Sequence, residues 1–425
     1  MMLFLYDILF FLLFLLYLPF YLVHIIRRGG LTSEYWERFG FFSREKKALL
    51  RSLKHPVWIH AVSVGESIAA VTFIKAWQKA HPEDDIVLSC STSTAFHTIR
   101  QKHLAGIVQI YCPFDFGFAI RHVLNLVRPR VLAIFEVEIW PNLVMVPARR
   151  GVKVCLVNGR MSDKSAKGYA RWKCIFRPIF NAFCVLCVQT EEDAARLRRV
   201  IGDSDKIHVC DTMKFDQVPE PSLRDVSGVL NDCFGTEPRV VLVAGSTHSG
   251  EEALIADAYL GLRSTHPELK LVIVPRHVER SEEIREMLKS KKLTCRLLQS
   301  EGETGPADVL LVNTTGELMN FFAAGDIAFV GKSLAGQTGG HNIIEPAISG
   351  KAILYGSHSE NFRAVVAIFQ SREAALEVPS DEAFLPLLAR LLENPEEREE
   401  LGRRARATVE RYRGAIDRTI AAIGE

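Results

Sequence analysis

Charge of one sign is nearly absent as an excess: the 425 residues carry 52 Lys and Arg against 50 Asp and Glu, a formal net charge of +2. That balance argues against a surface built to coat nucleic acid, although it leaves room for a local basic patch. Cysteine forms no framework. The nine cysteines are odd in number and scattered through apolar runs such as FCVLCVQT, which fits a reducing compartment. Cys184 and Cys187 make a lone C-x-x-C with no second pair and no nearby His, which reads as a buried strand and not as a zinc site. Neither G-x-x-x-x-G-K-S/T nor G-x-G-x-x-G occurs, which argues against a P-loop enzyme or a dinucleotide dehydrogenase. His-rich metal spacing is missing too, so no metal and no other cofactor is expected.

Long apolar runs are confined to one place. Residues 1–26 hold 23 hydrophobic residues, the exceptions being Asp7, Pro19 and His24. As a helix, Leu3–Ile26 would extend about 36 Å, enough to cross a hydrocarbon core. A cleaved signal peptide would need a basic start and a small-residue cleavage site, whereas Asp7 precedes the run and Arg27 and Arg28 follow it. A buried core helix rarely lacks a polar face over six turns. The segment 1–26 is therefore expected to be a membrane anchor, tilted or shallow if Pro19 kinks it. From Arg27 to Lys54 there are eight Lys or Arg against Glu34, Glu37 and Glu45. The positive-inside rule then keeps the rest of the chain in the cytoplasm, and the collar is either a headgroup contact or a solvated connector.

The remainder reads as an ordinary α/β body of two domains. VWIHAVSV (57–64), DIVLSCST, VLAIFEVE, VKVCLVNG and FCVLCVQT read as strands with helical patterns between them. The alternation restarts at RVVLVAGST (239–247) and continues through LKLVIVPRH, VLLVNTTG, DIAFVGKS and AILYGS. Such near-continuously apolar strands point to parallel sheets covered on both faces. Expected boundaries are 27–213 for the first domain, 214–225 for a Pro-rich hinge and 226–425 for the second, which ends in one charged amphipathic helix. Ligands should bind at the C-terminal ends of the strands, facing a cleft between the domains.

The loops after those strands hold the candidate chemistry. Glu66 follows a Gly turn at a helix start, a place that suits either a helix cap or a catalytic base. Glu136 and Glu138 end a strand two residues apart; alternation would put both on one face, where they repel unless a cation or substrate hydroxyls share them. Asn158, Arg160 and Lys214 add hydrogen-bonding or positive groups to the same half. In the second half Ser246 and Thr247 open a strand–helix turn able to hold phosphate. Arg276 offers a guanidinium, and Thr315–Glu317 and the GGHNIIEPA block (339–347) are further strand–helix junctions. Together they favour a nucleotide-phosphate site.

The order and spacing of ERFG (37–40), HAVSVGE (60–66), EVEIWPNL (136–143), NGRMS (158–162), KFD (214–216), GSTHSGEE (245–252), PRHVER (275–280), GELM (316–319) and GGHNIIE (339–345) resemble the lipid A 3-deoxy-D-manno-octulosonic acid (Kdo) transferase family, nearly end to end. The resemblance implies a GT-B glycosyltransferase fold, two Rossmann-like domains with the acceptor on the first and the donor on the second. It implies CMP-Kdo as donor and a lipid A precursor (lipid IVA) as acceptor, joined with inversion in lipopolysaccharide core biosynthesis at the cytoplasmic leaflet of a bacterial inner membrane. Carried over by motif, Glu66 matches the general base, and Glu136 and Lys214 match transition-state stabilisers. Pro275, Arg276, Thr315, Gly316, Glu317, Asn342, Ile343, Ile344 and Glu345 match the CMP-binding segments. Two departures stand out: Lys332 occupies a position where a small residue is usual and adds a potential phosphate contact, and Thr315 replaces a bulkier residue. A UDP-sugar lipid glycosyltransferase and an inactive nucleotide-sugar sensor are the competing readings.

Overall fold

The structure is a computed structural model that describes every residue except 1, 28–32, 103, 219–223, 300–304 and 425; for 21–27 and 33 it describes the backbone alone. The chain divides into two compact units, Met1–Gln217 with Gly414–Glu425, and Val218–Arg413.

Unit 1 is built on β1 (Val57–Ala61), β2 (Ile86–Cys90), β3 (Ile107–Tyr111), β4 (Val131–Phe135), β5 (Lys153–Gly159), β6 (Val185–Val188) and β7 (Ile207–Val209). They pair in the order β3-β2-β1-β4-β5-β6-β7, in parallel throughout, with Val57 opposite Ile86 on one side and Val131 on the other. A parallel sheet needs a crossover for each pairing, and the helices that make the crossovers cover both faces. Side chains alternate accordingly. Trp58, Val87, Leu132 and Val154 enter one core, while Ile59, Leu88, Ala133 and Cys155 enter the other. The strand order reverses between β1 and β4, the place where open α/β sheets bind ligands.

Unit 2 repeats the plan with β8 (Val240–Thr247), β9 (Leu269–Pro275), β10 (Cys295–Leu297), β11 (Val309–Leu311), β12 (Ile327–Val330), β13 (Ala352–Gly356) and β14 (Leu376–Val378). Their order is β10-β11-β9-β8-β12-β13-β14, so the reversal falls between β8 and β12. Leu242, Leu271, Phe329 and Leu354 fill the core on one face.

Three expectations need correction. The charged C-terminal stretch is two helices, Pro395–Tyr412 and Ala415–Gly424, broken where Gly414 takes φ +83°. The second helix is not part of the second domain: Ile416, Ile420 and Ile423 pack into a core of unit 1. Its first turn is held by the Asp216 carboxylate, which accepts from the Gly414 N–H at 2.7 Å and the Ile416 N–H at 2.8 Å. The same contact removes residues 214–217 from the expected hinge. Met213 and Phe215 are fully buried in unit 1, which leaves 218–225 as the connecting stretch, and of that 219–223 lie outside the described residues.

The N-terminal segment is a helix, Met2–Arg27, uninterrupted at Pro19. Its portion Met2–Phe20 is long and apolar enough to cross a membrane and little of it is buried, although Tyr6, Asp7, Phe10 and Phe14 are half-buried along one face; the outward apolar face sets it apart from a buried core helix. Phe4, Leu5, Leu9, Leu12, Leu13, Leu16 and Phe20 face outward, while Leu3 joins the unit 1 core.

Candidate active site

In unit 1 the loop after β1 turns directly into the helix Val64–Ala80 through a capping box. The Ser63 Oγ accepts from the Glu66 N–H, and the Glu66 carboxylate accepts from the Val62 N–H at 2.9 Å and the Ser63 Oγ–H at 2.7 Å. The cap and the candidate base are thus the same carboxylate. Capping uses only part of its lone-pair capacity, since two oxygens offer about four acceptor positions.

Glu136 follows β4 immediately, with φ +55°. A non-glycine residue in the left-handed region costs about 1 kcal/mol or more, and it ends the strand, so side-chain alternation does not govern where Glu138 points. Both carboxyls are nevertheless half-buried near Glu66. Burial first, then the Glu66 carboxylate, pushes Glu136 above the usual carboxylate range, and Arg160 and Lys214 draw it back. Burial also pushes Glu138 up, against a hydrogen bond from the Trp140 Nε1–H at 2.8 Å. Lys214 is held below its ordinary value by burial and by Arg160, with Glu136 opposing. The NGR and KFD blocks meet because Asn158, also at φ +55°, accepts the Met213 N–H on its Oδ1 at 3.2 Å. The structure therefore brings Glu66, Glu136, Glu138, Arg160 and Lys214 together around the C-terminal ends of β1, β4 and β5. Shifted groups of both kinds, Glu136, Glu138 and Lys214, at a strand switch point are what a site for proton transfer and charge stabilisation would need.

In unit 2 the buried Glu251 carboxylate ties the site together. It opens the helix Glu251–Leu262 and accepts from the backbone N–H groups of His248, Lys332, Ser333 and Leu334 at 2.8–3.1 Å. The loops after β8 and β12 are thereby locked against each other. Their closeness requires glycine at 331, where a Cβ would stand 2.5 Å from the Ser246 carbonyl oxygen. Ser246 and Lys332 both adopt positive φ. The Arg276 N–H donates to the Thr247 carbonyl at 3.1 Å, adding the loop after β9.

Three histidines converge there, none of them among the residues expected from the sequence. His248 and His341 stack with Nε2 atoms 3.0 Å apart, and His277 stands edge-on to His248. Burial, then His248, Arg276, Lys332 and His277, holds His341 at about 4; burial, then Lys332, His277, Arg280 and Arg276, lowers His248. Both shifts favour the uncharged imidazole, and the cations that cause them make a positive field suited to an anion. The signal in the sequence was the His in each of GSTH, PRH and GGH, readable only once the loops are known to meet.

The other expected residues are placed as follows. Glu345 is pushed up to about 7 by burial, with Arg276 opposing, so these two share a site. Asn342 folds back to accept the Ile344 N–H, and the side chains of Ile343 and Ile344 are core residues, leaving only their backbone for a ligand. Pro275 ends β9. Thr315 and Gly316 are exposed, and the Glu317 carboxylate is occupied by Arg224 and the Asn320 Nδ2. That turn lies beside the end of β8, since a Cβ on Gly245 would meet Leu318 at 2.7 Å. Ser246 is half-buried, while Thr247 is fully buried with an unpartnered Oγ1. Among the described residues one trio, His81, Glu83 and Asp84, brings potential metal ligands within 4.8 Å. Asp84 is already engaged by Trp77 and Arg130, and no part of either site lies there.

Comparison with known proteins gives a consistent result. Residues 33–217 match the family model described as 3-Deoxy-D-manno-octulosonic-acid transferase (kdotransferase). The 3-deoxy-D-manno-octulosonic acid transferase of Bordetella pertussis is 32% identical over 93% of this chain and 94% of its own. The transferase of the same name from Haemophilus influenzae is 29% identical over 90% and 89%. Among solved structures, the UDP-GlcNAc 2-epimerase of Neisseria meningitidis is similar in fold, with a TM-score of 0.54 at 14% identity over 86% of this chain and 99% of its own. The α/β architecture with two parallel seven-stranded sheets is of the GT-B kind.

Proposed function

Because this chain belongs to the 3-deoxy-D-manno-octulosonic acid (Kdo) transferase family, it is a glycosyltransferase, and we propose that it moves Kdo from CMP-Kdo to a lipid A precursor with inversion, using Glu66 as general base. The observation that carries this reading is the gathering of Glu66, Glu136 and Lys214 at the strand switch point of unit 1. Inverting transfer needs one carboxylate to take the acceptor hydroxyl proton while the sugar carbon is attacked opposite the leaving group. Glu66 does this from a rigid helix start. Lys214 balances charge as the transition state forms, and the Glu136 carboxylate, which Arg160 and Lys214 favour against burial, stabilises the electron-poor sugar.

Unit 2 supplies the donor contacts. The leaving CMP gains phosphate charge, which Arg276, Lys332 and the His248–His341 pair are suited to receive, the uncharged pair through the one N–H not used between its two rings. Glu345 faces Arg276, and a carboxyl with raised pKa suits hydrogen bonding to sugar hydroxyls. Ser246 and the turns at Pro275–Arg276, Thr315–Glu317 and Asn342–Glu345 line the nucleotide. No step calls on a metal ion. The first helix and the basic residues after it hold the enzyme on the cytoplasmic face of the inner membrane, beside its lipid acceptor.

Incubating the protein with a tetraacylated lipid A precursor and either CMP-Kdo or UDP-sugars, followed by mass and anomeric analysis, tests the proposal. Addition of Kdo with inverted configuration from CMP-Kdo alone is expected. Tight UDP binding with transfer from a UDP-sugar, or retention of configuration, would overturn it.

A further inference from the structure

Asp7 is the sole Asp, Glu, Lys or Arg among residues 1–26. An ionisable group in so apolar a helix is costly and calls for a partner. Its partners are in the catalytic unit. The Asp7 Oδ1 accepts from the Gly117 N–H at 3.1 Å and from the Asn142 Nδ2–H at 2.7 Å. Gly117 opens the helix Gly117–Val127, which has no side-chain cap of its own, so the first helix supplies the missing anion at a positive helix end. A Cβ at 117 would lie 2.8 Å from the Asp7 Oδ2; the approach depends on glycine there.

Asn142 is the more telling partner. It lies in the EVEIWPNL block, four residues beyond Glu138, on a helix (Pro141–Ala148) that also lacks a side-chain cap from its own N-cap residue. Its N–H and that of Leu143 donate to the buried Asp115 carboxylate at 3.0 and 2.7 Å, and its Nδ2 also reaches the Asp115 carbonyl at 2.7 Å. Asp7 thus completes the set of acceptors that fixes the Asn142 amide. One helical turn along, Phe10 packs edge-on to Phe116 and Trp140, and Trp140 holds the Glu138 carboxylate. Two contacts from the apolar helix, one polar and one aromatic, therefore converge on the turn that follows Glu136 and Glu138.

We propose that Asp7 is a positioning residue: through Asn142, and with Phe10 behind Trp140, the N-terminal helix sets the geometry of the segment bearing the paired carboxylates. The helix then does more than tether. It is a working part of the catalytic unit. This rests on the reading of Glu136 as a participant in transfer.

The test uses the full-length protein and a lipid A precursor dispersed in detergent, so that attachment to a bilayer does not limit the rate. A misplacement of the order of 1 Å costs about 100-fold in rate, so Asp7→Ala should lower kcat by about 10- to 100-fold. KM for CMP-Kdo and the affinity for CMP should stay unchanged. Asp7→Asn, whose Oδ1 accepts the same two bonds, should restore most of the rate, a rescue that loss of charge or of folding would not show. If Asp7→Ala does not accumulate, Phe10→Leu keeps the bulk and removes the aromatic edge, and a smaller fall in kcat alone is expected. Full kcat in Asp7→Ala, or in Phe10→Leu where that variant stands in for it, or an Asp7→Asn loss as large as that of Ala, overturns the proposal. Glu136→Gln assayed alongside separates the two failures: if it transfers normally, the carboxylate reading fails; if it is inactive while Asp7→Ala is not, only the positioning role falls.

Discussion

In the first unit the loops after β1, β4 and β5 gather three carboxyls with Arg160 and Lys214; in the second the loops after β8, β9 and β12 gather three imidazoles with Arg276 and Lys332, beside the Glu345 carboxyl and the backbone-bound Glu251. The sheets differ at one edge, where β11 and not β10 lies beside β9, yet each site lies where the strand order reverses next to the first strand of its unit. Burial acts on acids and bases in both, lowering Lys214 in the first and raising Glu345 in the second. It pushes Glu136 and Glu138 up and pushes His248 and His341 down. On the proposed function, loop residues at the strand-order reversal of each unit decide whether it handles a proton or an anion.

The largest break in this division should come from unit 1. Glu136→Gln or Lys214→Ala should lower transfer by about 100- to 1,000-fold, the usual cost of removing one transition-state contact. CMP affinity, measured by calorimetry, should not change. Arg276→Ala should show the mirror result. CMP-Kdo binding weakens about 10- to 100-fold, as expected for a charge-assisted hydrogen bond, and most of the rate returns at saturating donor.

A third variant addresses the scaffold of unit 2. Glu251→Ala strands four backbone N–H groups and should cost about 3 kcal/mol in denaturant unfolding. Glu251→Gln, which keeps one acceptor oxygen, should cost less. Donor affinity should fall with the Ala variant, since His248 and Lys332 lose their common support.

The smallest effect is pH dependence. His341 is held at about 4 from an ordinary 6.5, so the unfolded chain takes up that proton first. Its contribution to stability is lost as pH falls from about 6.5 to about 4. Glu345, raised from 4.5 to about 7, acts in the opposite sense: the folded form takes up its proton first, and stability rises as pH falls from about 7 to about 4.5. His341→Phe should flatten the acid-side loss, and Glu345→Gln should steepen it. Unfolding midpoints across that range check both.

What could be read from the sequence divides along the sheets. The ten strands expected from apolar runs are the ten interior strands. The four edges, β3, β7, β10 and β14, are partly exposed, and their pairing, not their own pattern, makes them strands. The C-terminal helix was readable as a helix but not as a member of unit 1, because the acceptor of its first turn, Asp216, lies 198 residues away from Gly414 in sequence. Strand–loop–helix punctuation and motif spacing put Glu66, Glu136 and Lys214 in one unit and Arg276 and Glu345 in the other, where the structure has them; their roles stay part of the proposal. The His248–His341 pair and the Asp7–Asn142 bond were not, since each joins residues about a hundred or more positions apart.

The division of labour between the units is tested most directly at Glu66. Gln retains the capping box, because an amide also satisfies the backbone N–H at that position, yet cannot take a proton. Single-turnover transfer and CMP affinity measured on the same Glu66→Gln preparation should show transfer lost by about 100-fold or more, with CMP binding unchanged. Transfer within tenfold of the unaltered enzyme would contradict the account.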